Sequence, residues 1–142
     1  MRVVVIGASG NVGTSVLEAL ADEPEVESVV GLARRIPGTP FPKVEWVGAD
    51  ITEDDLTPIF AGADAVVHLA WAIQPSRDET VTERINLGGT RQVLDAVSRA
   101  GVGTLVYASS VGAYSPGPKQ RQVDESWPVN GIPTSFYSRH TA

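Results

Sequence analysis

Three glycines spaced three residues apart, Gly7, Gly10 and Gly13 in the stretch RVVVIGASGNVG, are the residues of this sequence best suited to hold a ligand. They follow an aliphatic run, Val3 to Ile6, that reads as a strand covered on both faces, and they precede the start of a helix. Gly7 lets the chain turn sharply out of the strand. Gly10 leaves room for a pyrophosphate to approach the backbone, and Gly13 lets the helix pack closely on the sheet. The N–H groups of a first helical turn have no intrahelical acceptors and carry the positive end of the helix dipole, so they suit a phosphate. Ser9 and Asn11 add polar side chains there, and Val12 belongs to the same turn. The GxxGxxG spacing is a relative of the dinucleotide motif GxGxxG. A glycine-rich turn without a ligand is the alternative. The strand before it and the helix after it favour the nucleotide.

A dinucleotide here places its ribose about 20 residues further on, at the end of the second strand. An Asp or Glu there would accept from the 2′-hydroxyl of NAD. The sequence instead carries Arg34 and Arg35, with no acid between Leu32 and Pro42. A guanidinium pairs with the 2′-phosphate of NADP, so NADP is expected in preference to NAD. Two solvated arginines at a strand end are the alternative. Asp50 can accept from an adenine amino group while Ile51 covers the ring, or Asp50 is a simple turn aspartate. Leu69, Ala70 and Trp71 follow the fourth strand, and Ser109 and Ser110 end the fifth, both at the sheet edge where doubly wound folds bind ligands. Trp71 faces a nicotinamide or substrate, or closes the core. His68 has no second His and no carboxylate at metal spacing, so it reads as structural, and no metal site is expected.

The elements that must position these groups can be read from periodicity and breakers. A helix is expected over about Val12 to Ala21, with Val16, Leu17 and Leu20 inward and Pro24 beyond its end. Strands are expected over Glu27–Leu32, Val44–Val47, Ala63–Leu69 and Val102–Ser109. The stretch IPGTPFPK, with its prolines, is a loop where a crossover helix would otherwise run. Thr52 looks like a helix N-cap, with Glu53, Asp54 and Asp55 in the first turn. Asp78 to Ala100 reads as one long helix with Val81, Ile85, Gly89, Val93, Ala96 and Ala100 inward and Gly101 as its cap. Asn86 interrupts it, and Gly88 and Gly89 are unfavourable there by about 1 kcal/mol each unless something approaches closely. Residues 112–135, with prolines at 116, 118, 128 and 133, form a long loop, and a helix begins at Phe136 after Thr134 or Ser135. This order implies an α/β, Rossmann-type doubly wound parallel sheet in the order 3-2-1-4-5, cut off after the fifth strand.

The bulk numbers agree. A chain of 142 residues suits one domain, and 42% hydrophobic with 20% charged residues is ordinary for a globular protein. A net charge of −6 argues against a general nucleic-acid partner. The absence of cysteine excludes disulfides, and no stretch has the length of a membrane span. With no signal peptide legible, a cytoplasmic location without a membrane partner is the default expectation.

With these pieces in place, the chain resembles the N-terminal, cofactor-binding part of an extended short-chain dehydrogenase/reductase. More narrowly, it resembles the NAD(P)-dependent epimerase/dehydratase family that acts on nucleotide sugars and related substrates. GASGNVG resembles the family's glycine turn, GADI its Asp50–Ile51 pair, HLAW the end of its fourth strand, and NLGGT its N-x-x-G-T helix motif. VYASSVGAY resembles its fifth-strand motif and FYSRH the start of its YxxxK motif. The resemblance implies that Asn86 contacts the cofactor's ribose region, that Ser110 is the catalytic Ser/Thr and that Tyr137 is the catalytic, cofactor-contacting Tyr. It implies hydride transfer at a carbinol or carbonyl of a small molecule, with the tyrosinate as base and the serine holding the substrate oxygen. It also implies a homodimer through the long helix and the helix begun at Phe136.

One position departs from that pattern. The lysine that lowers the tyrosine's pKa is replaced by Thr141, and Arg139 and His140 point to other faces of a helix. The 142 residues alone are therefore expected to be inactive, as a piece of a longer enzyme lacking its substrate-binding part or as a degenerate short version. An NADP(H)-binding module or redox sensor without catalysis is the competing reading, and a remnant without ligand the third.

Overall fold

A computed structural model describes residues 1–73 and 78–142 of the chain. The strands are β1 (Arg2–Ile6), β2 (Ser28–Ala33), β3 (Val44–Gly48), β4 (Ala65–His68) and β5 (Thr104–Tyr107). They form one five-stranded sheet in the order β3-β2-β1-β4-β5, and every pairing is parallel. Val3–Ile6 of β1 are fully covered, as an unbroken aliphatic run at the sheet centre requires.

Both faces of the sheet are packed. On one, Val3, Val5 and Val29 meet Leu17 of α1 (Asn11–Asp22) and Val26. On the other, Val4, Ile6, Val30, Leu32 and Val66 meet Leu56 and Phe60, at the short helix α2 (Thr57–Phe60), and Val93, Ala96 and Val97 of α4 (Thr90–Ala100). This is the doubly wound arrangement the sequence implies. No helix among the described residues is long and apolar enough to cross a membrane.

Four local expectations are corrected. No helix starts at Thr52. The carboxylate of Asp50 accepts from the Thr52 N–H (2.9 Å) and hydroxyl (2.8 Å), and this local turn competes with helix formation. The helix comes later, with Pro58 in its first turn. Strand β5 is shorter than expected because Val102 belongs to the helix end. Gly101 is left-handed (φ 69°), and the Gly101 and Val102 N–H groups donate to Ser98 O and Val97 O (3.1 Å each), a Schellman cap. Strand β4 is likewise shorter, Ala65–His68.

The fourth correction concerns the long helix. Asp78 caps α3 (Glu79–Glu83), which passes through a π-helical segment, Arg84–Gly89, into α4. Thr82 and Asn86 are the buried residues of its first half, whereas Val81 is exposed. A spacing of four drifts against the 3.6-residue turn, so a stripe counted back from Val93 slips by a residue. Ser135 caps the last helix, α5 (Phe136–Thr141), accepting from the Ser138 N–H (3.3 Å).

Candidate functional site

A crevice of about 620 Å³ lies across the C-terminal ends of β1 to β4. Its floor is the glycine turn. Gly7 has φ 80°, and the N–H groups of Gly7 and Ala8 both donate to Leu32 O (3.0 and 3.3 Å). A Cβ on Gly7 would lie 2.8 Å from Ala70 N, so β1 and the chain leaving β4 close on each other here. Gly13 faces away from the crevice and packs on the turn: a Cβ there would lie 2.6 Å from Ala8 O and 2.7 Å from Ala8 C. Gly10 precedes α1 with extended backbone (φ −80°, ψ 170°), and among the described residues no side chain takes up the N–H groups of the first turn. Such an uncapped helix start, opening beside Gly7, Ser9 and Gly10, fits an anion.

Of the residues singled out from sequence, Gly7, Ser9, Gly10, Arg34, Arg35, Asp50, Ile51, Leu69, Ala70 and Trp71 line this crevice. Asn11, Val12 and Gly13 stand beside or behind it, Val12 being exposed. Ile6, Leu32, Ala33, Ala49, Ala72 and Ile85 also line it; Ala33 and Ala72 belong to strand ends expected at this edge, and the others were not singled out as site residues. The strand-end residues among them could have been found by extending each strand to its last apolar position. Arg34 and Arg35 are exposed and, among the described residues, neither makes an ion pair. The backbone hydrogen bond from Thr52 holds the Asp50 carboxyl below its usual range against the opposing effect of burial. The Thr52 hydroxyl and the charges of Arg34 and Arg84 act in the same direction.

The two helical glycines differ in surroundings. A Cβ on Gly88 meets nothing within 4 Å, whereas one on Gly89 would lie 2.6 Å from Ile51 Cδ1 and 2.7 Å from Cγ1. Gly88→Ala is expected to raise the melting temperature by roughly 2–4 °C, the equivalent of about 1 kcal/mol. Gly89→Ala is expected to lose that gain and to weaken nucleotide binding severalfold by pushing Ile51 into the crevice. Thermal melts with and without NADPH read both effects, and equal behaviour of the two variants would show that Ile51 yields freely.

A second group forms on the β5 side. Ser109, Ser110 and Tyr114 line a shallower hollow with Val111, Ala113 and Val129. Ser110 caps the 3₁₀ turn Val111–Ala113, its Oγ accepting from the Gly112 N–H (3.0 Å). A Cβ on Gly112 would lie 3.0 Å from Tyr137 Cε1 and 3.3 Å from Ser110 Oγ, so Ser110 and Tyr137 converge on one glycine. Ser138 fixes this approach. Its hydroxyl donates to Gly112 O (2.5 Å) and accepts from the Ile132 N–H (2.6 Å). Trp71 bridges the two groups: it lines the crevice, and its ring stands edge-on to Tyr137, centroids 6.1 Å apart at 77°. Asn86 is 1% exposed and, among the described residues, bonds only backbone: its Oδ1 accepts from the Ala72 N–H (2.8 Å), and its Nδ2 donates to Ala72 O (3.1 Å).

A family model described as NAD dependent epimerase/dehydratase matches residues 3–141. The chain belongs to this family. The family is one of NAD(P)-dependent hydride-transfer enzymes. The chain is similar to an L-arabinose 1-dehydrogenase (NAD(P)(+)) of Haloferax volcanii, 36% identical over 110 residues, covering 77% of this chain and 41% of the relative. It is similar to a UDP-glucose 4-epimerase of Mycolicibacterium smegmatis, 32% identical over 151 residues, covering 97% and 47%. Its fold is similar to that of a short-chain dehydrogenase/reductase superfamily protein from Agrobacterium tumefaciens solved with bound NAD. That likeness has a TM-score of 0.83 at 30% identity, over 99% of this chain and 42% of the other. The chain thus spans less than half the length of each of these three.

The end of α5 is the part where the sequence departs from the YxxxK pattern that the resemblance implies. The Thr141 hydroxyl turns back on its own helix, donating to Tyr137 O and Ser138 O (3.1 Å each). The Arg139 guanidinium is held by Glu79 (2.7 Å) and by Pro133 O (2.7 Å). His140 is buried against Phe136. None of these presents a cation to the Tyr137 hydroxyl.

Proposed function

We propose that this chain is the dinucleotide-holding domain, residues 1–142, of an NAD(P)-dependent epimerase, dehydratase or reductase. Its substrate class is a nucleotide sugar or a related carbinol or carbonyl compound. The observation that carries this reading is the uncapped start of α1 opening onto a crevice whose far end holds Arg34 and Asp50. The cofactor, when bound, supplies the hydride chemistry. The amides around Ser9, Gly10 and Asn11 hold a diphosphate, and Asp50 and Ile51 take the adenine. Arg34 and Arg35 take a 2′-phosphate, which favours NADP over NAD. Ser110 holds the substrate oxygen, and Tyr137 takes or gives the proton at its phenol oxygen. Leu87 and Leu94, exposed and seven residues apart on the long helix, support pairing of two chains through that face.

A second reading, a binding module without catalysis, is favoured by the self-bonded Thr141 and the neutralised Arg139. One titration series separates the readings. NADPH is expected to bind at least tenfold tighter than NADH, and Arg34→Ser with Arg35→Ser to remove that preference without weakening NADH. A wild-type preference for NADH would overturn the cofactor assignment. Hydride exchange with UDP-sugars is then compared between a complete chain, with its substrate-binding part, carrying Thr141 and the same complete chain carrying Thr141→Lys. Exchange gained with the lysine supports the enzyme lineage, whereas no exchange in either, with NADPH bound, supports the binding module.

A further inference from the structure

Residues 69–72, which leave β4, form a wall of the crevice, and among the described residues little holds them. The Leu69 N–H makes the last bond to the sheet, to Ile6 O (2.9 Å). Beyond it, Ala70, Trp71 and Ala72 line the crevice. Among the described residues, the hydrogen bonds that fix residues 70–73 are the two that Asn86 makes with Ala72. One amide paired with both the N–H and the C=O of a single residue fixes the orientation of that backbone as a strand neighbour would. At 1% exposure, the Asn86 side chain is enclosed.

Asn86 itself stands on a frame tied to the opposite wall. It lies in the π-helical segment Arg84–Gly89, and such wide turns recur at functional positions. At one end of that segment Arg84 pairs with Glu53 (3.1 Å), and just past the other Gln92 donates to Thr52 O (3.0 Å). Gly89 packs on Ile51. Trp71, one residue before the clamped Ala72, has its indole Nε1 buried without a hydrogen-bond partner among the described residues. Packing and the backbone at Ala72 therefore decide where its ring lies, and that ring touches Tyr137.

We infer that Asn86 is a positioning residue. It holds the loop after β4 as the crevice wall and, through Trp71, sets the pose of Tyr137, and it acts on the nucleotide only by that route. The inference rests on the proposed dinucleotide crevice for its binding arm and is independent of it for its structural arm.

The structural arm needs no ligand. The near-ultraviolet circular dichroism of Trp71 is the difference between the wild-type chain and Trp71→Phe. Asn86→Leu, nearly isosteric and unable to hydrogen-bond, is expected to remove more than half of that difference signal. In the binding arm Asn86→Leu is expected to weaken NADPH about tenfold and to change binding of ADP, which spans only the adenosine and diphosphate, by less than twofold. Adding Trp71→Phe to Asn86→Leu is expected to produce no further loss. An unchanged ligand-free spectrum alongside weakened NADPH would show direct contact and overturn the inference, as would unchanged NADPH affinity. If wild type binds neither nucleotide, the cofactor reading fails while the spectrum still decides the role of Asn86. Should Asn86→Leu not fold, Asn86→Asp, which keeps the acceptor for the Ala72 N–H and loses the donor, is expected to show a partial loss of the same signal; no change there overturns the inference.

Discussion

Gly13→Ala is expected to lower the melting temperature by roughly 10 °C and to weaken NADPH binding at least 100-fold. The added Cβ would meet Ala8 O at 2.6 Å and Ala8 C at 2.7 Å, as well as the Gly7 carbonyl oxygen. These are backbone atoms of the glycine turn, so no side-chain rotation relieves the overlap. Overpacking of this kind costs about 1–3 kcal/mol and sometimes more, and at this chain length about 3 kcal/mol corresponds to a shift of that order. Relief requires α1 to lift from the turn, which carries the first-turn amides away from any diphosphate they hold. Gly10→Ala is the matched control. Its Cβ would meet only Gly7 O, at 3.3 Å, so it is expected to melt within a few degrees of wild type while still losing nucleotide affinity. Calorimetric melts and NADPH titration of the two variants separate what Gly13 does for the fold from what Gly10 does for the ligand. A Gly13→Ala chain with wild-type melting and affinity would mean that the turn accommodates a methyl group.

The contrast between those two glycines was partly legible in the sequence and partly not. The run Val3–Ile6, the three glycines and the strand-helix alternation are local and strongly patterned, so the strand order and the crevice followed from them. Arg34, Asp50 and Trp71 were found because each stands at the end of a patterned strand. What escaped depends on partners without a local mark. Asp50 turns its carboxylate onto Thr52, and nothing in GADITEDD separates that turn from a helix cap. Asn86 was noticed as a polar residue in an apolar helix, but its partner is the backbone of Ala72, and a backbone partner leaves no trace in residue type. Gly112 becomes the meeting point of Ser110 and Tyr137 only because Ser138 closes the intervening loop onto it. That closure spans residues whose prolines and glycines show a loop and not its path.

His68 is expected to remove about 3 kcal/mol of folding stability as the pH falls from 6.5 to 4. It is fully buried at the end of β4, its Nε2 lies 3.0 Å from Thr90 Oγ1, and its ring stacks on Tyr107 at 5.2 Å. Its Nδ1 is buried without a partner among the described residues. A bare nitrogen lone pair tolerates that far better than an N–H, so the Nε2–H tautomer, donating to Thr90, is the consistent one. Protonation would put a second N–H and a charge into this setting, and burial lowers the pKa to about 4 from 6.5. The unfolded chain takes up the proton near pH 6.5, whereas the folded chain refuses it until about 4. The contribution is therefore intact above 6.5 and is lost progressively between those values, at about 1.4 kcal/mol per unit. Against a typical total of about 5–15 kcal/mol, that is a large share. Carboxylates with lowered pKa, such as Asp50, act below this window, because their unfolded forms stay ionised until about pH 4. Urea unfolding of wild type and His68→Phe from pH 7.5 to 4.5 isolates the effect. The phenylalanine leaves the Thr90 hydroxyl without its partner and is expected to be less stable by about 1 kcal/mol at neutral pH. Lacking the titration, it should overtake wild type near pH 5.8, where the wild type has lost about 1 kcal/mol, so that the two stability curves cross. Parallel curves would mean that the folded chain lets the imidazolium form with Nδ1 solvated, which requires the β4–β5 edge beside Tyr107 to open without unfolding.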